Sequence, residues 1–388
     1  SQAGAQYGYS LLWTMIPITI SLIVVQEMCA RMGAVTGKGL SDLIREEFGL
    51  RLTFLVMVAL VVVNYTNVVA EFIGIAGSLQ LFHVTKFISV PLCAALVWYM
   101  VVRGSYKSTE KIFLVASVVY IAYIFAGVLS QPSWHTALLA TVQLPEKSVW
   151  RDKLYMYTAI GVVGTTIAPW MQFYQQSAIA DKGIKVEYLR YERIDTYVGA
   201  FLTDFVAFFI IVCTGATLFV HHIQINEAKD AALALAPLVN GNGQIAEILF
   251  GIGLLNASLM AASVLPLSTA YSVAEAFGWE RGVSRSFKEA PQFLFLYTFI
   301  IVIGASTILF VPADRLVFVL NLPNVVGGML LPLVLVLMLI LCNDRRLMGR
   351  YVNGRIRNGV AWVTTVVMTI LTLLIILSTL FPRLFGGS

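Results

Sequence analysis

Gly161-Val162-Val163-Gly164-Thr165-Thr166-Ile167-Ala168-Pro169-Trp170 interrupts an apolar run that extends over about residues 155–180. Two glycines, two threonines and a proline sit near the middle of a stretch long enough to cross a bilayer. A proline inside a helix has no N–H and displaces the carbonyl one turn back, here that of Thr165. In lipid every backbone group needs a partner, so such an interruption is tolerated only where it is covered by protein or lines a cavity. Broken helices near the bilayer midplane build the substrate sites of many transporters. Two readings stand side by side. The segment is either a kink packed at its glycines, or a break whose Thr165 oxygen faces a cation.

The rest of the chain supports a membrane setting. Hydrophobic residues make up 59% of the 388 and charged residues 12%, against about 25% charged in an ordinary soluble domain. The mean hydropathy of +0.83 agrees. So much apolar surface cannot be hidden in one water-bathed core. Runs of roughly 18 or more apolar residues suggest ten membrane helices, over about 10–32, 52–82, 86–102, 110–130, 155–180, 194–220, 244–277, 291–310, 315–342 and 359–381. The expected fold class is an all-α polytopic membrane protein, with residues 1–388 forming one transmembrane transporter domain in the cell membrane.

Loop charges orient it. With the loop after the first span placed in the cytosol, cytosolic loops hold 19 of the 26 basic residues. Each of the five is basic, from Arg31–Arg51 to Arg345–Arg357, as the positive-inside rule requires. The chain then begins outside, which leads us to expect a further helix before Ser1. The net charge of +5 belongs to these loops, so no nucleic-acid partner is expected.

Other polar features fall within the spans. Asn321-Leu322-Pro323-Asn324-Val325-Val326-Gly327-Gly328 places amides beside helix-breaking residues. It reads equally well as a second cavity lining or as close helix packing. Ionisable groups in a membrane are costly and usually functional. Asp204 and Glu71 lie deep in their spans, whereas Glu27, Glu247 and Glu275 lie nearer helix ends, where capping or snorkelling serves. For Asp204 the bland alternative is a protonated carboxyl making an interhelical hydrogen bond. His83, His135, His221 and His222 fall in external loops, so the spans hold no histidine. Cys29, Cys93, Cys213 and Cys342 stand singly and read as packed thiols. No phosphate-binding loop, zinc-binding helix or hydrolytic triad is present, so the chain is not expected to be an enzyme, and no cofactor is expected.

Several blocks resemble the Nramp divalent-metal transporters. Gln2-Ala3-Gly4-Ala5, Tyr7-Gly8-Tyr9 and Leu11-Leu12-Trp13 resemble the stretch after that family's helix 1. Gln26, Ala30-Arg31, Gly33 and Thr36-Gly37 continue it. Ala70-Glu71 with Gly74 resembles the helix-3 signature, and Asn343-Asp344-Arg345-Arg346-Leu347-Met348-Gly349 the end of helix 10. The resemblance implies a LeuT-like fold of two inverted five-helix repeats plus an eleventh helix, with the family's helix 1 missing here. Its substrate site lies between broken helices 1 and 6. The helix-1 aspartate and asparagine would precede Ser1.

The departures concern the metal ligands. The family's helix-6 Met-Pro-His reads Ala168-Pro169-Trp170 here, and its second histidine reads Gln175. The helix-3 aspartate position is Val68, the helix-10 glutamine aligns with Asn324, and the helix-7 asparagine with Asp204. This pattern is similar to the family's magnesium-transporting branch. A thioether favours softer metals and magnesium hard oxygen ligands with retained water. An inside-negative potential alone favours a dication by roughly 4.6 kcal/mol per 100 mV. The resulting expectation is a monomeric uniporter for magnesium, with manganese as a candidate second cargo, working by alternating access without protons. Its metal-site residues would be Thr165, Ala168, Asn324 and Asp204, and its partners the ion and the lipid bilayer. Two alternatives remain: a proton-coupled transition-metal transporter, for manganese or iron, and an amino-acid transporter of the same fold. A non-transporting membrane scaffold fits the broken, polar helices poorly.

Overall fold

The computed structural model describes residues 1–103, 111, 115, 117–146, 149–225, 227–311 and 316–380, with the side chains of 151, 153, 316–322, 324–325 and 374–380 outside that description. The described residues are helical and contain no strand. The principal helices are α1 (Gln2–Tyr7), α2 (Met15–Thr36), α3 (Leu40–Phe48), α4 (Leu50–Gln80), α5 (Lys86–Val102), α6 (Ile121–Leu129) and α7 (Trp134–Val142). They continue as α8 (Lys153–Thr166), α9 (Pro169–Asp181), α10 (Leu189–Thr214), α11 (Gly243–Phe277), α12 (Pro291–Phe310), α13 (Leu316–Asn343) and α14 (Arg355–Leu380).

Among the described residues, seven helices are long and apolar enough to cross a membrane. The sequence suggested ten spans, and three differ for definite reasons. Lys86–Val102 and Ser117–Leu129 are apolar but shorter, and 110, 112–114 and 116 of the expected 110–130 span lie outside the described residues. The span over 155–180 is divided into α8 and α9.

Helix ends follow local chemistry. Gly37 (φ 63°) and Gly278 (φ 71°) close α2 and α11 in the left-handed region, which only glycine enters without steric cost. Side chains of Asp152 and Asn242 accept backbone N–H groups at the starts of α8 and α11, satisfying donors a helix start leaves unpaired.

Lipid is as apolar as leucine, so close packing rather than water exclusion holds membrane helices together. α4 and α11 make the most extensive contact, and α2 packs on α9 and α10. One buried cluster joins α2, α3, α4 and α13; a second joins α4, α5, α11 and α12. Trp170, at the start of α9, packs against both. At Gly304 of α12 a Cβ would stand 2.6 Å from Val68 Cγ1, so only a glycine lets α12 approach α4 this closely.

α13 runs unbroken through Pro323, Gly327, Gly328 and Pro332, so the Asn321–Gly328 motif interrupts no helix. Pro332 offers no N–H to the Gly328 carbonyl one turn back. The Thr372 hydroxyl of α14 donates to that carbonyl instead, at 2.9 Å.

Candidate functional site

α8 and α9 are two halves of one span. Ile167 (φ −113°, ψ 67°) and Ala168 (φ −78°, ψ 139°) leave helical geometry, and Pro169 opens α9. Proline suits a first helical position, where its missing N–H would be unpaired anyway. The same absence leaves the Thr165 carbonyl without a helical donor four residues on. The break is short: Ile167 N–H still reaches the Val163 carbonyl at 3.0 Å, and Met171 N–H the Ala168 carbonyl at 3.2 Å. Within the interruption expected over Gly161–Trp170, the break is confined to Ile167–Ala168. Thr165 and Thr166 stay helical, both hydroxyls donating to the Val162 carbonyl at 2.9 Å.

Electrostatics at the gap follow from the two helix ends. The carbonyl end of α8 carries partial negative charge and the N–H end of α9 partial positive charge. A cation is favoured against α8, where the Thr165 oxygen lacks a helical donor. Four other helices border the gap. Gln172 donates to the Ala168 carbonyl at 3.3 Å, and its own oxygen accepts the Cys29 thiol of α2 at 3.4 Å. Ser268 of α11 donates to the Trp170 carbonyl at 3.0 Å. A Cβ on Gly327 of α13 would lie 3.7 Å from Pro169 Cδ and 3.6 Å from Val63 Cγ1 of α4.

The four expected site residues fare differently. Thr165 lies in the last turn of α8 before the break, and Ala168 lies in the break, buried with only a methyl group to offer. Asn324 lies on α13 one turn before Gly327, but its side chain is outside the described residues. Asp204 of α10 is buried. Its Oδ2 has no partner among the described residues, and the Thr19 hydroxyl of α2 is its neighbour. Nothing places its carboxyl on the gap itself.

The residues at the departing positions are packed within the helices. Val68 is fully buried against α12. Gln175 donates to the Thr196 hydroxyl of α10 at 3.4 Å. Glu71 is half-buried on α4, with the Ser258 hydroxyl of α11 beside it. Asn64, one residue after Val63, escaped the sequence reading. Its amide donates to Thr269 at 2.9 Å while Oδ1 is buried without a partner among the described residues. The available signal was an amide in the middle of an apolar span. Among the described residues no three His, Cys, Asp or Glu side chains converge. The donors around the gap are carbonyl, hydroxyl and amide oxygens.

Comparison with known proteins identifies the arrangement. The family model described as "Natural resistance-associated macrophage protein-like" (Nramp) matches residues 1–378. The chain is 26% identical over 396 residues to the divalent metal cation transporter MntH of a Nostoc strain, covering 97% of this chain and 86% of that one. It is 28% identical over 376 residues to the MntH of Aeromonas hydrophila, covering 92% and 86%. A crystal structure of the Eremococcus coleocola manganese transporter, bound to an aromatic bis-isothiourea compound, superposes with a TM-score of 0.81 at 20% identity, covering 99% of this chain and 83% of the other.

These findings overturn the expected proton-independent magnesium uniporter, because the relatives are named for divalent metal cations and manganese. The physical reason lies in the donor set. Carbonyl, carboxylate and water oxygens suit manganese as well as magnesium, so the missing thioether at Ala168 does not single out magnesium. Missing histidines do not exclude protons either, since a buried carboxyl can carry them alone.

Proposed function

The chain belongs to the Nramp family, and from that premise we propose that it is a proton-coupled transporter of divalent metal cations, with manganese as its leading cargo. The observation that carries the reading is the α8–α9 break, which leaves the Thr165 carbonyl without a helical donor inside the membrane. We assign the ion to this gap. Thr165 supplies an oxygen, Ala168 leaves room for a water retained by the ion, and Asn324 approaches from α13. Asp204 acts from α10 as outer support. Oxygen donors of this kind hold a partly hydrated manganese ion. Glu71 is the leading proton carrier, on α4 and away from the gap.

The test is manganese uptake into proteoliposomes containing the purified chain. An inward proton gradient should accelerate uptake, and excess magnesium should compete only weakly. Absence of manganese uptake, or full blockade by equimolar magnesium, would refute the assignment.

A further inference from the structure

Glu27, on α2 toward the basic, cytosolic side, is fully buried and faces three guanidinium groups. Arg31, one turn on, reaches it through Nε and Nη2, both at 3.1 Å. Arg193 of α10 donates from Nε to Oε1 at 2.8 Å, and Arg357 of α14 from Nη1 to the same Oε1 at 2.6 Å. Arg31 is itself buried and is further held by the Tyr351 carbonyl and the Asn353 side-chain oxygen. Its charge is thus enclosed by protein. The cluster as a whole sets one carboxylate against three guanidinium groups, leaving two positive charges in excess.

That excess sits on the two outer members. The side chains of Arg193 and Arg357 are 31% and 35% exposed. Each uses one nitrogen on Glu27, and the remaining N–H donors have no protein acceptor among the described residues. Both bond one carboxylate oxygen, so the two guanidinium groups converge on Glu27 between α10 and α14 with α2 as floor. Their depth is marked by exposed aromatic rings, Tyr197 one turn along α10 and Trp362 five residues along α14. Such rings settle at the membrane–water interface. The pair therefore lies at headgroup level in the leaflet bordered by the basic loops, where anionic lipids are attracted to basic pockets between helices.

We propose that Arg193 and Arg357 form a binding site for the phosphate of an anionic phospholipid, seated between α10 and α14 above the Glu27–Arg31 pair. Guanidinium forks match phosphate oxygens in paired hydrogen bonds. The bound phosphate neutralises the surplus charge, and the acyl chains lie along the apolar outer faces of α10 and α14. Occupancy ties these two helices to α2. The site is independent of which ion is carried.

The test is native mass spectrometry of the full chain in detergent, titrated with phosphatidylglycerol, phosphatidylcholine or inorganic phosphate. Phosphatidylglycerol should bind well above phosphatidylcholine. The Arg193→Gln/Arg357→Gln double variant should lose roughly thirtyfold in phosphatidylglycerol affinity, from about 1 kcal/mol per cationic side chain. The control Arg103→Gln, at an exposed residue just after α5, a helix that packs on α4, α11 and α12, should match the parent. Should the double glutamine variant fail to fold, Arg193→Lys/Arg357→Lys keeps charge opposite Glu27 but loses the forks, and must still bind several-fold more weakly. Equal binding of the two lipids, or undiminished phosphatidylglycerol binding in the folded double variant, overturns the site. Inorganic phosphate binding as tightly as phosphatidylglycerol overturns the lipid assignment.

Discussion

Pro169 determines what the Thr165 carbonyl can do. Pro169→Ala restores an N–H that can reach this oxygen and heal the helix across the break. Manganese affinity should fall roughly tenfold or more, the scale seen when a ligand's setting is lost, with thermal stability unchanged or raised. Isothermal binding and uptake assays, paired with a melting curve, check both halves. Ala168→Met places a soft thioether at the gap, so cadmium uptake should rise relative to manganese by several-fold. A transport competition series measures that ratio. At this scale the break was readable, because a proline amid glycines and threonines in an apolar run has few other meanings. The threonines, though, stay helical, with both hydroxyls turned onto the Val162 carbonyl. Asn64 was overlooked because one amide in an apolar stretch looks like any interhelical contact.

Proline alone does not break a membrane helix, as α13 demonstrates. Pro323 and Pro332 lie within it, and a neighbouring helix meets the need of one displaced carbonyl through Thr372. Thr372→Val removes that donor and should cost roughly 0.6–2 kcal/mol, the range for interhelical hydrogen bonds in membranes. Chemical unfolding in mixed micelles would detect the loss, with Thr372→Ser retaining stability. Sequence could not separate α13 from the α8–α9 break, since the deciding partner lies 44 residues from Gly328. The same limit hid the Glu27 cluster. The spacing of Glu27 and Arg31 along α2 was visible, but Arg193 and Arg357 come from 166 and 330 residues away.

Over the whole molecule, apolar run lengths and loop charges carried the helical membrane class, and the quoted motifs carried the family. The cargo was not legible in the same way. Loss of methionine and histidine was read as favouring magnesium, yet an oxygen donor set accepts manganese too. Proton coupling likewise cannot be read from histidines when Glu71 and Asp204 remain within the spans. Glu71 lies beside Ser258, and Asp204 has an oxygen with no partner among the described residues. Glu71→Gln keeps the shape and removes the titratable group, so manganese should still bind while coupled proton movement is lost. The most direct test records manganese influx and lumenal pH together, in proteoliposomes clamped at a fixed membrane potential. The account predicts lumenal acidification that tracks manganese entry in the parent chain and disappears in Glu71→Gln. Manganese entry with no accompanying acidification in the parent would contradict it.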